Sequence, residues 1–153
     1  MIKAPSLIAE SSLIYSGDPA LNLPDDSAER ERVLELARET GNWRDIVLPG
    51  ETPTIFHVRP LYGALWDWFA GEVNRRSLVQ VEIAAFALRL ALRKVEWFGS
   101  YKVEFTRVDG HQMATTEILD AIYREGGGEG RTIVEELGGF VFVKASQGLR
   151  PKS

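Results

Sequence analysis

Cysteine is absent from this 153-residue chain. That one absence removes disulfides, thiolate nucleophiles and cysteine-ligated zinc together, and it suits a reducing compartment. Histidine is scarce, with two residues, His57 and His111. Long apolar runs are missing too. The most apolar window, Leu78 to Leu92, is broken by Gln80, Glu82 and Arg89. A bilayer-crossing helix needs roughly 20 mostly apolar residues, so this window reads as a buried helix and no membrane partner is expected. The opening "MIKAPSLIAESSLIY" carries one lysine and broken apolar patches, so no signal-peptide core is expected there. No internal repeat is present.

A concentrated charge of either sign is also lacking. The net charge of −4 is spread unevenly, with ten acids and five bases in residues 1–53 and twelve acids and thirteen bases in residues 54–153. The segment Arg75 to Arg107 leans basic, with seven bases against three acids. Nucleic-acid binding asks for a stronger basic stripe with aromatics interleaved, so a nucleic-acid role through Arg75, Arg76, Arg89 and Arg93 is not expected. A chain of this length buries roughly 68–70% of its unfolded surface, enough for one domain without covalent or metal staples.

What the chain does contain is a sequence of local signals. Residues 1–25 hold Pro5, Gly17, Pro19 and Pro24 among apolar clusters at Leu7-Ile8, Leu13-Ile14-Tyr15, Leu21 and Leu23. Solvated tails have low hydrophobicity, so this segment packs on something, either its own domain or a partner; an extended N-terminal arm is expected. "DSAERERVLELARETG" opens with an Asp26-x-x-Glu29 capping box, places Val33, Leu34 and Ala37 on one face, and stops at Gly41. "TIFHVR" reads as a strand, with Phe56 and Val58 to one side and Ile55 and His57 to the other.

Helical spacing of Leu61, Leu65, Trp68 and Phe69 predicts a helix over 62–74, and near-continuous apolarity predicts a central one over 77–97. "SYKVEFTRVDG" alternates cleanly and predicts a strand over 101–108, closed by a turn and paired with 54–59. Two more helices follow, over 115–124 and 132–145, with Gly138-Gly139 marking a bend or a close helix contact. The expected fold is mostly α (α+β): a helical bundle around a central buried helix, one short antiparallel strand pair and an extended arm. Its divisions are an arm over 1–25, a single helical domain over 26–145 and a tail over 146–153.

Catalytic chemistry finds little support. "GGGEGRT" lacks the lysine of a phosphate loop and follows a helix rather than a strand, so it reads as a flexible connector. His57 lies mid-strand and His111 in a turn, with Asp109 two residues before the latter. A dyad of His111 with Asp109, or a base built on Glu82, lacks the remaining parts of a site. Glu82, Arg89 and Arg93 fall on one helix face and read as its exposed stripe. No catalytic residue, cofactor site or metal site is assigned. Trp66 and Trp68 lie roughly 200° apart around a helix, so Trp66 sits on the flank near Tyr62, where it serves either a core or an interface. Exposed Trp and Tyr are frequent in protein-binding hot spots.

The stretches "GDPALNL", "PGETPTIFHVRPL" and "IVEELGGFVFVKASQGLRPK" together resemble small structural and morphogenesis proteins of tailed bacteriophages. Pro-Thr-x-Phe-x-x-Arg-Pro-Leu, from Pro53 to Leu61, looks like the strand that opens the core of tail assembly chaperones and related accessory proteins. The resemblance implies no catalytic residues and carries over Phe56, Arg59 and Leu61 as scaffold positions. It implies a non-enzymatic virion subunit of head, neck or tail, or alternatively a tail assembly chaperone, found in the virion or in host cytoplasm during assembly. Its partners would be other phage structural proteins and copies of itself. The expected contact residues are Leu7, Ile8, Leu13, Ile14, Tyr15, Leu21 and Leu23 on the arm, with Tyr62 and Trp66 on the helix. Deleting residues 1–24 is then expected to abolish incorporation into particles while leaving a folded domain. A small enzyme using His111 or Glu82 is the remaining reading.

Overall fold

The structure, a computed structural model, describes residues 10–99 and 101–148. Its α+β architecture comprises five α-helices and two small antiparallel sheets. Strand β1 (Ser11–Leu13) is followed by helix α1 (Ser27–Thr40), a 3-10 turn at Arg44–Ile46, β2 (Ile55–Val58) and α2 (Gly63–Arg75). Next come α3 (Gln80–Ala91), β3 (Leu92–Glu96), β4 (Phe105–Val108), β5 (His111–Ala114), α4 (Glu117–Glu125), a second 3-10 turn at Gly127–Glu129 and α5 (Gly130–Gly148).

Helix α1 forms where its caps dictate. The Asp26 carboxylate accepts the Glu29 amide at 2.9 Å, and Gly41 closes the last turn at φ 72°, donating to the Ala37 carbonyl. In β2 the side chains alternate as expected: Phe56 and Val58 are buried, Ile55 and His57 half-buried.

The long central helix divides in two. α3 ends at Ala91, and Leu92–Glu96 turns into β3, although neither glycine nor proline stands at the junction. Tertiary pairing overrides local propensity here. Val95 lies opposite Phe56, Lys94 opposite His57 and Leu92 opposite Val58, with a register shift between His57 and Val58. Arg59 seals the break: its amide donates to the Ala91 carbonyl at 2.8 Å and its Nε to the Leu90 carbonyl at 3.1 Å, covering C-terminal groups that helix geometry leaves unpaired.

The expected pairing of 101–108 with 54–59 is also corrected. β2 sits between β1 and β3, so neither of its edges is open. β4 pairs instead with β5 through a tight hairpin whose central residues Asp109 and Gly110 have φ of 52° and 83°. Positive φ at both positions is the twist-compatible geometry that favours Asp-Gly. The strand spans only Phe105–Val108, and its four residues are exposed.

The arm expected over 1–25 is, from residue 10 onward, part of the domain. β1 forms one edge of the three-stranded sheet, with Leu13 opposite Phe56. Leu13, at 1% exposure, joins the main core with Phe56, Leu61, Phe69, Leu88 and Ile122. Ile14 and Leu21 enter a second core with Leu34, Ala37 and Trp43. Polar ties add to this burial. The Trp43 indole donates to the Ser12 carbonyl at 2.8 Å, Asp18 accepts the Ala20 and Thr54 amides, and the Ser16 amide donates to Glu136 of α5 at 2.7 Å. The connector before α5 is a single 3-10 turn between closely packed helices rather than a loose linker: a side chain at Gly130 would strike Tyr123.

Candidate functional site

The position of α5 on α3 generates an accessible apolar groove. A Cβ at Gly138 would collide with the Ala84 carbonyl, so only glycine permits this close backbone approach. Beside that contact the facing helices leave an open groove of about 710 Å³. Its walls are Val79, Ile83 and Ala84 from the start of α3, and Gly139, Phe142 and Val143 from α5. Val79 is 59% and Val143 48% exposed, which is unusual for large aliphatic side chains grouped in one concavity. Arg131 and Glu135, paired at 3.0 Å, provide the groove's charged rim. Its lining among the described residues is mostly aliphatic and aromatic, so the groove is suited to holding apolar side chains.

The expected contact residues fall into three groups. Leu7 and Ile8 lie outside the described residues. Leu13, Ile14, Tyr15 and Leu21 are buried, between 1% and 9% exposed, against this chain's own elements: Leu13 enters the main core, Ile14 and Leu21 the second one, and Tyr15 lies beside Glu129, so they are interior residues rather than an exposed arm surface. Leu23 packs half-buried on the second core. Of the helical pair, Tyr62 is exposed. Trp66 is half-buried, its ring 5.6 Å from Phe69 and 5.8 Å from Phe142, so it supports the groove through Phe142. Val79 and Val143 were not singled out by sequence because each stands at an element boundary or within an apolar run, with no period that marks it as exposed.

The residues considered for catalysis have other occupations. His111 stacks on Trp68 at 4.7 Å, and Asp109 accepts the Trp68 indole N–H at 3.0 Å. Glu82 accepts the Val79 amide at 3.0 Å and caps its own helix. Arg89 is not on an exposed stripe: it is half-buried and donates to the Ala114 carbonyl at 3.0 Å, and burial, then the charge of Arg76, pulls its pKa down. The four arginines weighed for nucleic acid each have a partner within the chain, Arg89 as described. Arg75 pairs with Glu72, Arg76 lies over the Phe86 ring, and Arg93 donates to Gln112.

Sequence reasoning missed one polar constellation. Ser12 Oγ lies 3.2 Å from His57 Nδ1, and His57 Nε2 lies 2.7 Å from Glu96 Oε2. A hydroxyl, imidazole and carboxylate are thus joined across β1, β2 and β3. The hydrogen bond from His57, followed by the charges of Lys94 and His57, holds the Glu96 carboxyl below the ordinary carboxylate range against an opposing effect of partial burial. The hydroxyl meets the imidazole as in a nucleophilic site, but these residues do not line the α3–α5 groove. What they supply is a lateral link across three strands. Forty-five and thirty-nine residues separate the partners from His57, so only the strand register unites them.

Among the described residues, no group of three or more histidine or acidic side chains is placed to hold a metal ion, and no helix is long and apolar enough to cross a membrane. No known family model, curated protein or solved structure matches the chain.

Proposed function

We propose that this chain is a non-enzymatic protein-binding subunit, in the setting its sequence resembles: a structural or accessory component of a tailed-phage particle. The observation that supports this is the α3–α5 groove, where Val79 and Val143 stand exposed beside Ile83 and Phe142. Covering such a surface gains roughly 25 cal/mol per Å² of apolar area removed from water. The occupant is an apolar segment of another phage structural protein, and the Arg131–Glu135 pair at the rim sets its orientation more than its affinity. The virion, or host cytoplasm during assembly, is the corresponding location.

Mass spectrometry of purified particles tests the proposal, using the wild-type chain and a Val79→Asp/Val143→Asp double variant checked for native circular dichroism. The expected result is wild-type protein in the particle and at least a tenfold loss of the folded variant. Wild-type protein that is abundant in lysates during assembly but missing from particles overturns the virion-subunit reading and points to an assembly chaperone using the same groove. Normal incorporation of the variant removes the groove from the contact.

A further inference from the structure

A second concavity, of about 210 Å³, opens where the start of β2 and the end of β3 meet the turn between α4 and α5. Its chemistry differs from that of the groove. Four aromatic residues, Tyr15, Phe56, Trp97 and Phe98, share the walls with three acids, Asp18, Glu125 and Glu129, and no lysine, arginine or histidine lines it among the described residues. The space is several times the ~30 Å³ that one water occupies in the liquid, enough for a small organic group.

Each wall is held in place. Tyr15 and Phe98 are buried at 8% and 7% exposure, and the Tyr15 hydroxyl donates to Glu129 at 3.2 Å. Both Asp18 carboxylate oxygens accept backbone amides, from Ala20 at 2.9 Å and Thr54 at 3.0 Å, which fix the carboxylate in place at the cleft. The Glu125 carboxylate lies over Gly99, where any side chain would collide with it. Its recorded ion pair is a long one, 3.9 Å to the neighbouring Arg124.

Trp97 supplies the outer wall. It is 69% exposed and has φ 59°, a region that bulky residues seldom occupy. The Thr54 hydroxyl donates to its carbonyl at 3.1 Å and anchors that backbone. The Tyr15 hydroxyl also registers the local field: burial first, and then the negative charges of Glu129 and Glu136, raise its pKa.

Aromatic faces and carboxylates in one concavity, with no cation among its described lining residues, favour a ligand that carries positive charge on an organic frame. The ring quadrupole attracts an ammonium or guanidinium, and the carboxylates supply the opposite charge. A bare metal ion would need converging acidic ligands, and the acids here are not arranged as such a group. We infer that the cleft formed by Tyr15, Trp97, Phe98, Asp18, Glu125 and Glu129 is a binding site for an organic cation of lysine or arginine side-chain size. This inference does not depend on the groove or on the phage setting.

The test follows the Trp97 indole N–H and the Gly99 amide in ¹H–¹⁵N spectra of the whole chain. Butylammonium and butylguanidinium chlorides are added at constant ionic strength, with 1-butanol as the uncharged control. Saturable shifts at both reporters with either cation and none with the alcohol are expected. In Glu125→Gln, an exposed position where folding is retained, affinity should fall about tenfold. Shifts that do not saturate, an equal response to butanol, or unchanged affinity in Glu125→Gln overturn the inference; the wild-type arms decide it even if that variant misfolds. A lysine-centred tetrapeptide run beside butylammonium identifies the source: tighter peptide binding assigns a polypeptide side chain, and equal binding assigns a free amine.

Discussion

Gly138 of α5 lies so close to the carbonyl of Ala84 in α3 that no side chain fits between them. Its neighbour Gly139 has nothing within 4 Å of where its Cβ would be. Two adjacent glycines in one helix thus have unlike roles. One permits the helix contact, and the other leaves space on the groove wall.

That difference yields opposite effects for one chemical change. Gly138→Ala forces α5 away from backbone, which does not yield as a flexible side chain does, and should cost about 1–3 kcal/mol or somewhat more. Gly139→Ala removes a poor helix former without a collision and should gain up to about 1 kcal/mol. Urea unfolding of both variants measures this. Equal losses, or a neutral Gly138→Ala, would contradict the close contact of α3 and α5.

Glu96 carries a pH-dependent contribution. His57, Lys94 and their hydrogen bonds depress its folded pKa, while in the unfolded chain the carboxyl returns to a value of about 4.3. A depressed folded pKa makes the stabilisation fully present above the unfolded value, and it is lost as pH falls through the folded one. Thermal melts of wild type and Glu96→Gln should therefore differ most near neutrality and converge on acidification below about pH 4.3. A gap that stays constant down to pH 2 would remove the link between His57 and Glu96 from the account.

The sequence made legible whatever depended on neighbours within about one turn. Asp26 and Gly41 bounded α1, alternation oriented Phe56 and His57, and Gly138 announced a close contact. Asp109-Gly110 was also readable as a hairpin turn, a signal that favours β4–β5 over pairing with the distant 54–59 segment. Three features were not local. α3 ends at Ala91 because β2 takes up the following residues, not because of any breaker. His57 meets Ser12 and Glu96 only through the register of three strands. Val79 and Val143 become a surface only when α5 crosses α3. Apolar clusters without a period, such as Leu13-Ile14-Tyr15, fit an adhesive arm and an edge strand equally well, and the partners that decide between them lie far along the chain.

The arm therefore gives the sharpest reversal of an expectation. Removing residues 1–24 takes away β1 together with Leu13, Ile14, Tyr15 and Leu21, all buried, and strips Phe56 and Trp43 of the neighbours they pack against or bond to. One large aliphatic truncation in a core costs about 2–5 kcal/mol, against a total stability of about 5–15 kcal/mol for a domain. Losing three such residues, Tyr15 and an edge strand exceeds that margin, so the truncated chain should show no cooperative melt and no near-ultraviolet circular dichroism. Two single variants calibrate the result. Leu13→Ala should remain folded with a loss of about 2–5 kcal/mol, whereas Leu36→Ala, on a side chain 57% exposed, should stay within about 0.5 kcal/mol of wild type. A truncated chain that still melts cooperatively would show that this segment rests on the domain without being part of its core, and would return it to the role of a detachable arm.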